Sequence, residues 1–310
     1  METTTAVEFR GVAKRYGDVT ALDCADFTIP RGQTVALLGP NGAGKTTAID
    51  ILLGLRRPDA GTVRILGDAP RRCVAAGRVG AMLQTSGLPE HAKVTEVVNL
   101  ARRLYGGRRG LGELLELTGL TEVARQPANR LSGGQARRVH FAVALAGDPE
   151  LVFLDEPTVA LDVAARRAFW VAMRQVAASG RTVLFATHYL EEADANADRV
   201  VVLTRGRVRA DAPPARLKAN AGTKAVRFAL ARPDRDALSR LPGVTDTDVE
   251  GERVTLVTAD ADATLPALYA AGLAVRDVEV IGTGLEAALL SLTEDAGPTG
   301  GADTTAGARR

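Results

Sequence analysis

Short, continuous apolar runs, each followed by a stretch with helical spacing, predict an α/β fold built on a buried parallel sheet. Three runs carry that prediction: Val35–Leu38, Leu151–Leu154 and Thr182–Ala186. Each leads directly into glycines or into residues with reactive side chains, and in open α/β sheets ligands bind beyond the carboxyl ends of the strands. The chain of 310 residues is long enough for two domains. The strand–helix alternation runs to residue 220, so residues 1–220 are expected to form the larger domain.

The elements follow in order. Val35–Leu38 is a strand ending at Gly39, and Thr46–Leu55 has helical spacing and stops before Arg56-Arg57-Pro58. A second helix is expected over Ala136–Ala146, with Ser132 as a suitable N-cap ahead of it and Gly147-Asp148-Pro149 as its stop. The character changes near Ala212-Pro213-Pro214. From there the pattern reads strand Ala225–Leu230, helix Asp234–Leu241, strand Val244–Asp248, strand Arg253–Val257, helix Leu265–Ala271, strand Val275–Ile281. That βαββαβ order predicts a small α+β, ferredoxin-like domain over 221–293, with a short amphipathic helix at Leu285–Leu292. Residues 294–310 are too polar and glycine-rich to fold alone and are expected to be a disordered tail.

Bulk properties exclude several classes. Hydrophobic residues make up 46% and charged residues 25%, an ordinary globular composition. A net charge of +2 gives no electrostatic case for nucleic acid as a partner. No apolar run approaches the ~18 residues that span a bilayer, and Met1–Arg10 has no apolar signal-peptide core. Cys24 and Cys73 lack metal-ligand spacing and read as reduced thiols. His91 and His140 fit no motif, and Arg102, Arg103, Arg108 and Arg109 around Leu104-Tyr105 read as a solvated helix end.

Chemistry concentrates in three places. Gly39, Pro40, Asn41, Gly42, Ala43, Gly44, Lys45, Thr46 and Thr47 form a phosphate cradle. Its glycines let backbone N–H groups curl around phosphate oxygens, and the helix that follows turns its positive end toward the same charge. Lys45 supplies a point charge and Thr46 a hydroxyl for Mg²⁺. Only five of the 39 basic residues are lysine, and one stands here, where a compact ammonium fits and a guanidinium does not. Asp155, at a strand end, is assigned to the Mg²⁺ shell, and Glu156 to polarising the attacking water. An acidic turn before Pro157 is the plainer alternative. Ser132, Gly133, Gly134 and Gln135 form a second helix start, either a simple cap or a turn aimed at a phosphate.

In that order, Gly39–Thr47, Leu131–Gln135 and Leu151–Pro157 resemble the Walker A, signature and Walker B motifs of ABC-type ATPases. The resemblance covers about residues 6–220 and extends to further marks. Tyr16 resembles the aromatic that stacks on adenine, Gln84 the Q-loop glutamine that senses Mg²⁺ and water, Asp162 the D-loop aspartate and His188 the switch histidine. Ala160 departs from the pattern, since glycine is often found there. The family resemblance implies a RecA-like core with a helical subdomain and an antiparallel β subdomain. It also implies ATP and Mg²⁺ as cofactors, with Glu156, His188 and Gln84 as catalytic residues.

In that family the signature turn of one protomer closes over the ATP of the other. One chain holds one copy of each motif, so a homodimer is expected. Resemblance to ABC-2 type (daunorubicin/multidrug-type) exporter ATPases implies a separate membrane permease and a place on the cytoplasmic face of the cell membrane. The expected cargo is a drug, antibiotic or lipid-like substrate, with sodium or polysaccharide export as an alternative. A soluble ABC ATPase of DNA repair or translation is the other alternative. Only about 85 residues separate the cradle from the second turn, without heptads or cysteine clusters, which argues against it.

Overall fold

The computed structural model describes residues 4–83, 87–220 and 224–282. The elements in chain order are β1 (Thr5–Tyr16), β2 (Val19–Pro30), β3 (Thr34–Leu38), α1 (Lys45–Leu52), β4 (Ala60–Ile65), α2 (Pro70–Ala75), β5 (Val79–Met82), α3 (Val94–Leu104), α4 (Leu111–Leu117), α5 (Gly133–Leu145), β6 (Leu151–Asp155), α6 (Val163–Ala178), β7 (Thr182–Thr187), α7 (Leu190–Asn196), β8 (Arg199–Thr204), β9 (Arg207–Ala212), α8 (Pro214–Asn220), β10 (Lys224–Ala229), α9 (Arg235–Ser239), β11 (Val244–Glu250), β12 (Arg253–Thr258), α10 (Ala261–Ala270) and β13 (Arg276–Gly282). The chain divides into two compact units between Arg216 and Leu217, four residues before the boundary expected from the sequence.

In the first unit a six-stranded sheet has the order β5-β6-β7-β3-β8-β9. Its pairings are parallel except at the edge, where β9 runs antiparallel to β8. Every residue of β3, β6 and β7 is buried. Strands covered on both faces need apolar side chains on both, which is why these three read as unbroken apolar runs. A second sheet, β2-β1-β4, is antiparallel. It packs one face inward: Phe9, Phe27 and Ile29 join Leu37, Ile49, Leu52 and Phe153 in one core, with the rings of Phe9 and Phe27 stacked at 4.8 Å. Helices α3, α4 and α5 pack against one another, and α5 also lies on β5.

Helix boundaries follow local chemistry. α1 ends at Leu52 rather than 55, because Gly54 turns to φ +70°. α5 begins at Gly133, directly after its Ser132 cap, three residues ahead of the expected start.

The second unit is an antiparallel sheet in the order β11-β12-β10-β13, with a core of Val226, Phe228, Leu238, Val254, Leu256 and Leu268. Its elements occur where the sequence places them, with two shifts. Asp234 caps α9 instead of lying inside it, accepting from Asp236 N and Ala237 N. α10 starts at Ala261, four residues early, because the Asp260 side chain accepts from Ala263 N at 3.0 Å. The Leu285–Leu292 helix, the 294–310 tail and Gln84 lie outside the described residues. Among the described residues, no helix is long and apolar enough to cross a membrane.

Candidate functional site

Parallel pairing brings three strand ends together. Leu38 at the end of β3 aligns with Thr187 of β7, and Asp155 at the end of β6 aligns with Ala186 of β7. The loop 39–44, Asp155-Glu156 and His188 therefore leave the sheet along one edge. The loop fits only as glycine at its two ends. A Cβ on Gly39 would lie 2.2 Å from the Leu203 carbonyl oxygen, and one on Gly44 2.3 Å from that of Ala21, with Gly44 at φ +104°. Gly44 caps α1 without a side chain, leaving the first N–H groups of the helix to face the loop.

Lys45 folds back under the loop. Its Nζ donates to Gly39 O at 2.6 Å and to Pro40 O at 3.2 Å, and the residue is 7% exposed. Burial lowers its pKa, while Glu156 and Asp155 pull the other way. The Thr46 hydroxyl donates to Asp155 Oδ2 at 3.3 Å. Burial raises the Asp155 pKa, and repulsion from Glu156 adds to this. Glu156 Oε2 lies 2.8 Å from His188 Nδ1.

Tyr16, Val19, Ala21, Asn41–Thr47, Asp155 and Glu156 line one cavity of about 480 Å³. Tyr16, 42% exposed, forms its rim. The structure thus gathers Tyr16, the loop, Lys45, Thr46, Thr47 and both carboxylates, with His188 held to Glu156. Ser132, Gly133, Gly134, Gln135 and Asp162 do not line this cavity. Ser132 and Gln135 form a reciprocal cap, with Ser132 N–H donating to Gln135 Oε1 at 2.9 Å and Gln135 N–H to Ser132 Oγ at 3.2 Å. Asp162 caps α6, accepting from Ala165 N at 2.8 Å. The two turns are neighbours, since a Cβ on Gly134 would touch Leu161 Cδ2 at 3.3 Å.

One contributor was missed in the sequence. Arg137, two residues past Gln135 on α5, donates to three successive carbonyls: Asp155 O at 3.0 Å, Glu156 O, and Pro157 O at 3.3 Å. Glu156 sits at φ +49°, unusual for a residue with a side chain, and its N–H donates to Ala186 O at 2.9 Å. Backbone bonds on both sides hold that conformation. Nothing in Arg137-Arg138 distinguishes the arginine that turns inward. In the basic stretch, Arg102 donates to Arg109 O at 2.8 Å and Arg109 pairs with Glu113, so only Arg103 and Arg108 are solvated.

A buried cluster of a cation and two carboxylates, beside a helix start and a glycine loop, is suited to a polyphosphate and a hard dication. Two expectations follow. Burial makes Asp155 bind its proton more tightly folded than unfolded, so its contribution to stability falls as pH rises above the unfolded carboxylate pKa. Asp155→Asn removes the charge and is expected to raise the melting temperature of the nucleotide-free protein at pH 7, by about 2–4 °C per kcal/mol released. That gain should vanish below about pH 4, where the unfolded carboxyl is protonated too. A lower melting temperature at pH 7 would contradict the assignment. Ala160, where the family favours glycine, is exposed at φ +65°. Ala160→Gly is expected to relieve strain of about 1 kcal/mol, read as a higher midpoint in urea.

Comparison with known proteins shows the family. The profile of the family described as ABC transporter matches residues 22–159. A daunorubicin resistance ATP-binding protein, DrrA3 of Streptomyces coeruleorubidus, is 39% identical over 305 residues, 94% of this chain and 96% of the relative. A Nod factor export ATP-binding protein I of Paraburkholderia xenovorans (strain LB400) is 38% identical over 268 residues, 83% of this chain and 87% of the relative. Among solved structures, an ATP-binding subunit of an ABC transporter superposes with a TM-score of 0.65 at 29% identity, covering 70% of this chain and 94% of that one. A dimeric bacterial ABC transporter cassette gives 0.60 at 27%, covering 67% and 98%. The chain belongs to the ABC transporter family, as one of its ATP-binding proteins.

Proposed function

We propose that this protein is the ATP-hydrolysing subunit of an exporter, working as a homodimer beneath a separate ABC-2 type permease on the cytoplasmic face of the membrane. The observation that carries the reading is the shared cavity of Tyr16, Lys45, Thr46, Asp155 and Glu156, with His188 2.8 Å from Glu156. Dimeric assembly is supported by the position of Ser132–Gln135 and Asp162 outside that cavity, and by the dimeric cassette of the same fold. Export is supported by the names of the two relatives above, one a daunorubicin resistance and one a Nod factor export ATP-binding protein; the proposed cargo is a drug, antibiotic or lipid-like molecule.

Each residue has a role set by its surroundings. Tyr16 stacks on adenine at the rim. The loop N–H groups and Lys45, which exchanges its carbonyl partners for phosphate oxygens, hold the β- and γ-phosphates. Thr46 and Asp155, whose oxygens lie 3.3 Å apart, are the residues that would hold Mg²⁺. When bound, Mg²⁺ neutralises charge on the transferred phosphoryl group. Glu156 orients the attacking water and takes up its proton, and His188 fixes the carboxylate and reaches toward the γ-phosphate. Gln84, outside the described residues, would serve the Mg²⁺ and water shell by its resemblance to the Q-loop glutamine. Ser132, Gly133, Gly134, Gln135 and Asp162 act on the nucleotide of the partner copy.

The second unit, over about 221–293, is read as ferredoxin-like. Its support is the βαββαβ order together with the sheet order β11-β12-β10-β13, in which the first and last strands of the unit are adjacent.

Glu156→Gln should lower turnover about 10²–10⁴-fold while keeping ATP affinity, and should elute as a dimer with ATP and Mg²⁺ in gel filtration. An ATP-bound monomer would overturn the shared site. Lys45→Ala should lose ATP binding by about 100-fold or more, measured with a fluorescent ATP analogue. Parental affinity would refute the phosphate assignment.

A further inference from the structure

Behind the site lies a buried carboxylate that the roles above do not use. Glu192 on α7 is 5% exposed. Its Oε1 accepts from the Thr158 hydroxyl and its Oε2 accepts from the Thr187 hydroxyl at 3.3 Å. Thr158 and Thr187 are themselves fully enclosed. Arg166 Nε of α6 stands 3.6 Å from Oε1, while the Arg166 guanidinium covers the Tyr189 ring at 5.1 Å. The Thr187 hydroxyl also accepts from Tyr189 N–H at 3.0 Å. A buried carboxylate is tolerated when donors and a cation surround it, and here they come from three separate segments.

The location of the two hydroxyls matters. Thr158 is two residues after Glu156, and Thr187 is the residue before His188. One rigid carboxylate thus spans the two segments whose side chains meet at 2.8 Å. Thr158 also opens the turn that ends at Asp162, its carbonyl accepting from Leu161 N–H at 3.1 Å. None of Glu192, Thr158 and Thr187 lines the cavity that holds the phosphate loop and Lys45.

We infer that Glu192 is a positioning residue for hydrolysis. It sets the separation of Glu156 from His188 and ties that pair to the Thr158–Asp162 turn. This rests on the reading of Glu156 and His188 as the catalytic pair. A group acting through geometry alone affects turnover and leaves nucleotide binding intact, since misplacement of reacting groups by about 1 Å can cost 10²-fold.

The test compares Thr158→Val, Thr158→Ser and Glu192→Gln with the full-length parent, measuring kcat, KM for ATP and affinity for a fluorescent ATP analogue. Thr158→Val keeps the shape and removes the hydroxyl, and kcat should fall on the order of 10- to 100-fold with KM and affinity within about twofold. Thr158→Ser, which keeps the hydroxyl, should recover most of the turnover. Glu192→Gln should behave as Thr158→Val, and the double variant should lose less than the product of the two single losses. Should Glu192→Gln fail to fold, the Thr158 pair still decides. Parental kcat in folded Thr158→Val, equal losses in the valine and serine variants, or parallel loss of kcat and binding would each overturn the inference. Glu156→Gln is assayed alongside. If it keeps parental turnover, the catalytic pair itself is misassigned; if it is inactive while Thr158→Val is parental, only the role of Glu192 falls.

Discussion

The register of β6-β7-β3 is the constraint on which the site depends. Leu38 beside Thr187, and Asp155 beside Ala186, fix which residues emerge together at the carboxyl edge. Glu156 N–H bonds to Ala186 O, so the turn that carries the catalytic candidate is itself anchored to the neighbouring strand. A one-residue slip of β6 against β7 would carry Glu156 out of reach of His188. It would also exchange the two faces of β6, and because both faces are buried every side chain of the strand would have to repack.

The edge assembled in this way holds charges that would not be stable apart. Burial lowers the pKa of Lys45 and raises that of Asp155, each disfavouring its charged form. Their mutual attraction only partly offsets this, and Glu156 repels Asp155. A polyphosphate with a dication brings one partner for Lys45 and another for the carboxylates. Burial therefore disfavours the charges that such a ligand would favour, for reasons intrinsic to these residues. Glu156 at φ +49° adds backbone strain to the same spot, held by Arg137 and Ala186.

How far the sequence reached follows from where the information lies. The central strands were legible because burial on both faces demands a continuous apolar run. The phosphate loop was legible because glycine, lysine and threonine at that spacing have few other uses. The second unit was legible as an alternation of elements, although Asp260 capping α10 moved its start upstream. Arg137 and Glu192 were not legible. Arg137 is one of two adjacent arginines, and Glu192 one of two adjacent glutamates before Ala193-Asp194. Which member of each pair turns inward depends on packing against residues 18–34 positions away, and local pattern carries no trace of that. Ala160 was visible as a departure, but its left-handed backbone, which explains the preference for glycine, emerged only in three dimensions.

Helix α5 joins what the sequence showed as two separate motifs. At its start, the Ser132–Gln135 cap fixes a turn that does not line the cavity of its own chain. Two residues on, Arg137 grips the carbonyls of residues 155–157, which do line or border that cavity. Arg137 is buried enough that its pKa is lowered by desolvation, with Asp155 and Glu156 opposing. This half-buried guanidinium loses three hydrogen bonds if its acceptors move away. Rotation of α5 that tilts the Ser132 turn must therefore either carry the Asp155–Pro157 turn with it or break three hydrogen bonds at once. The three bonds favour movement of the two turns together over their separation. A ligand contacting the Ser132 turn on one face then bears directly on the orientation of Glu156 on the other.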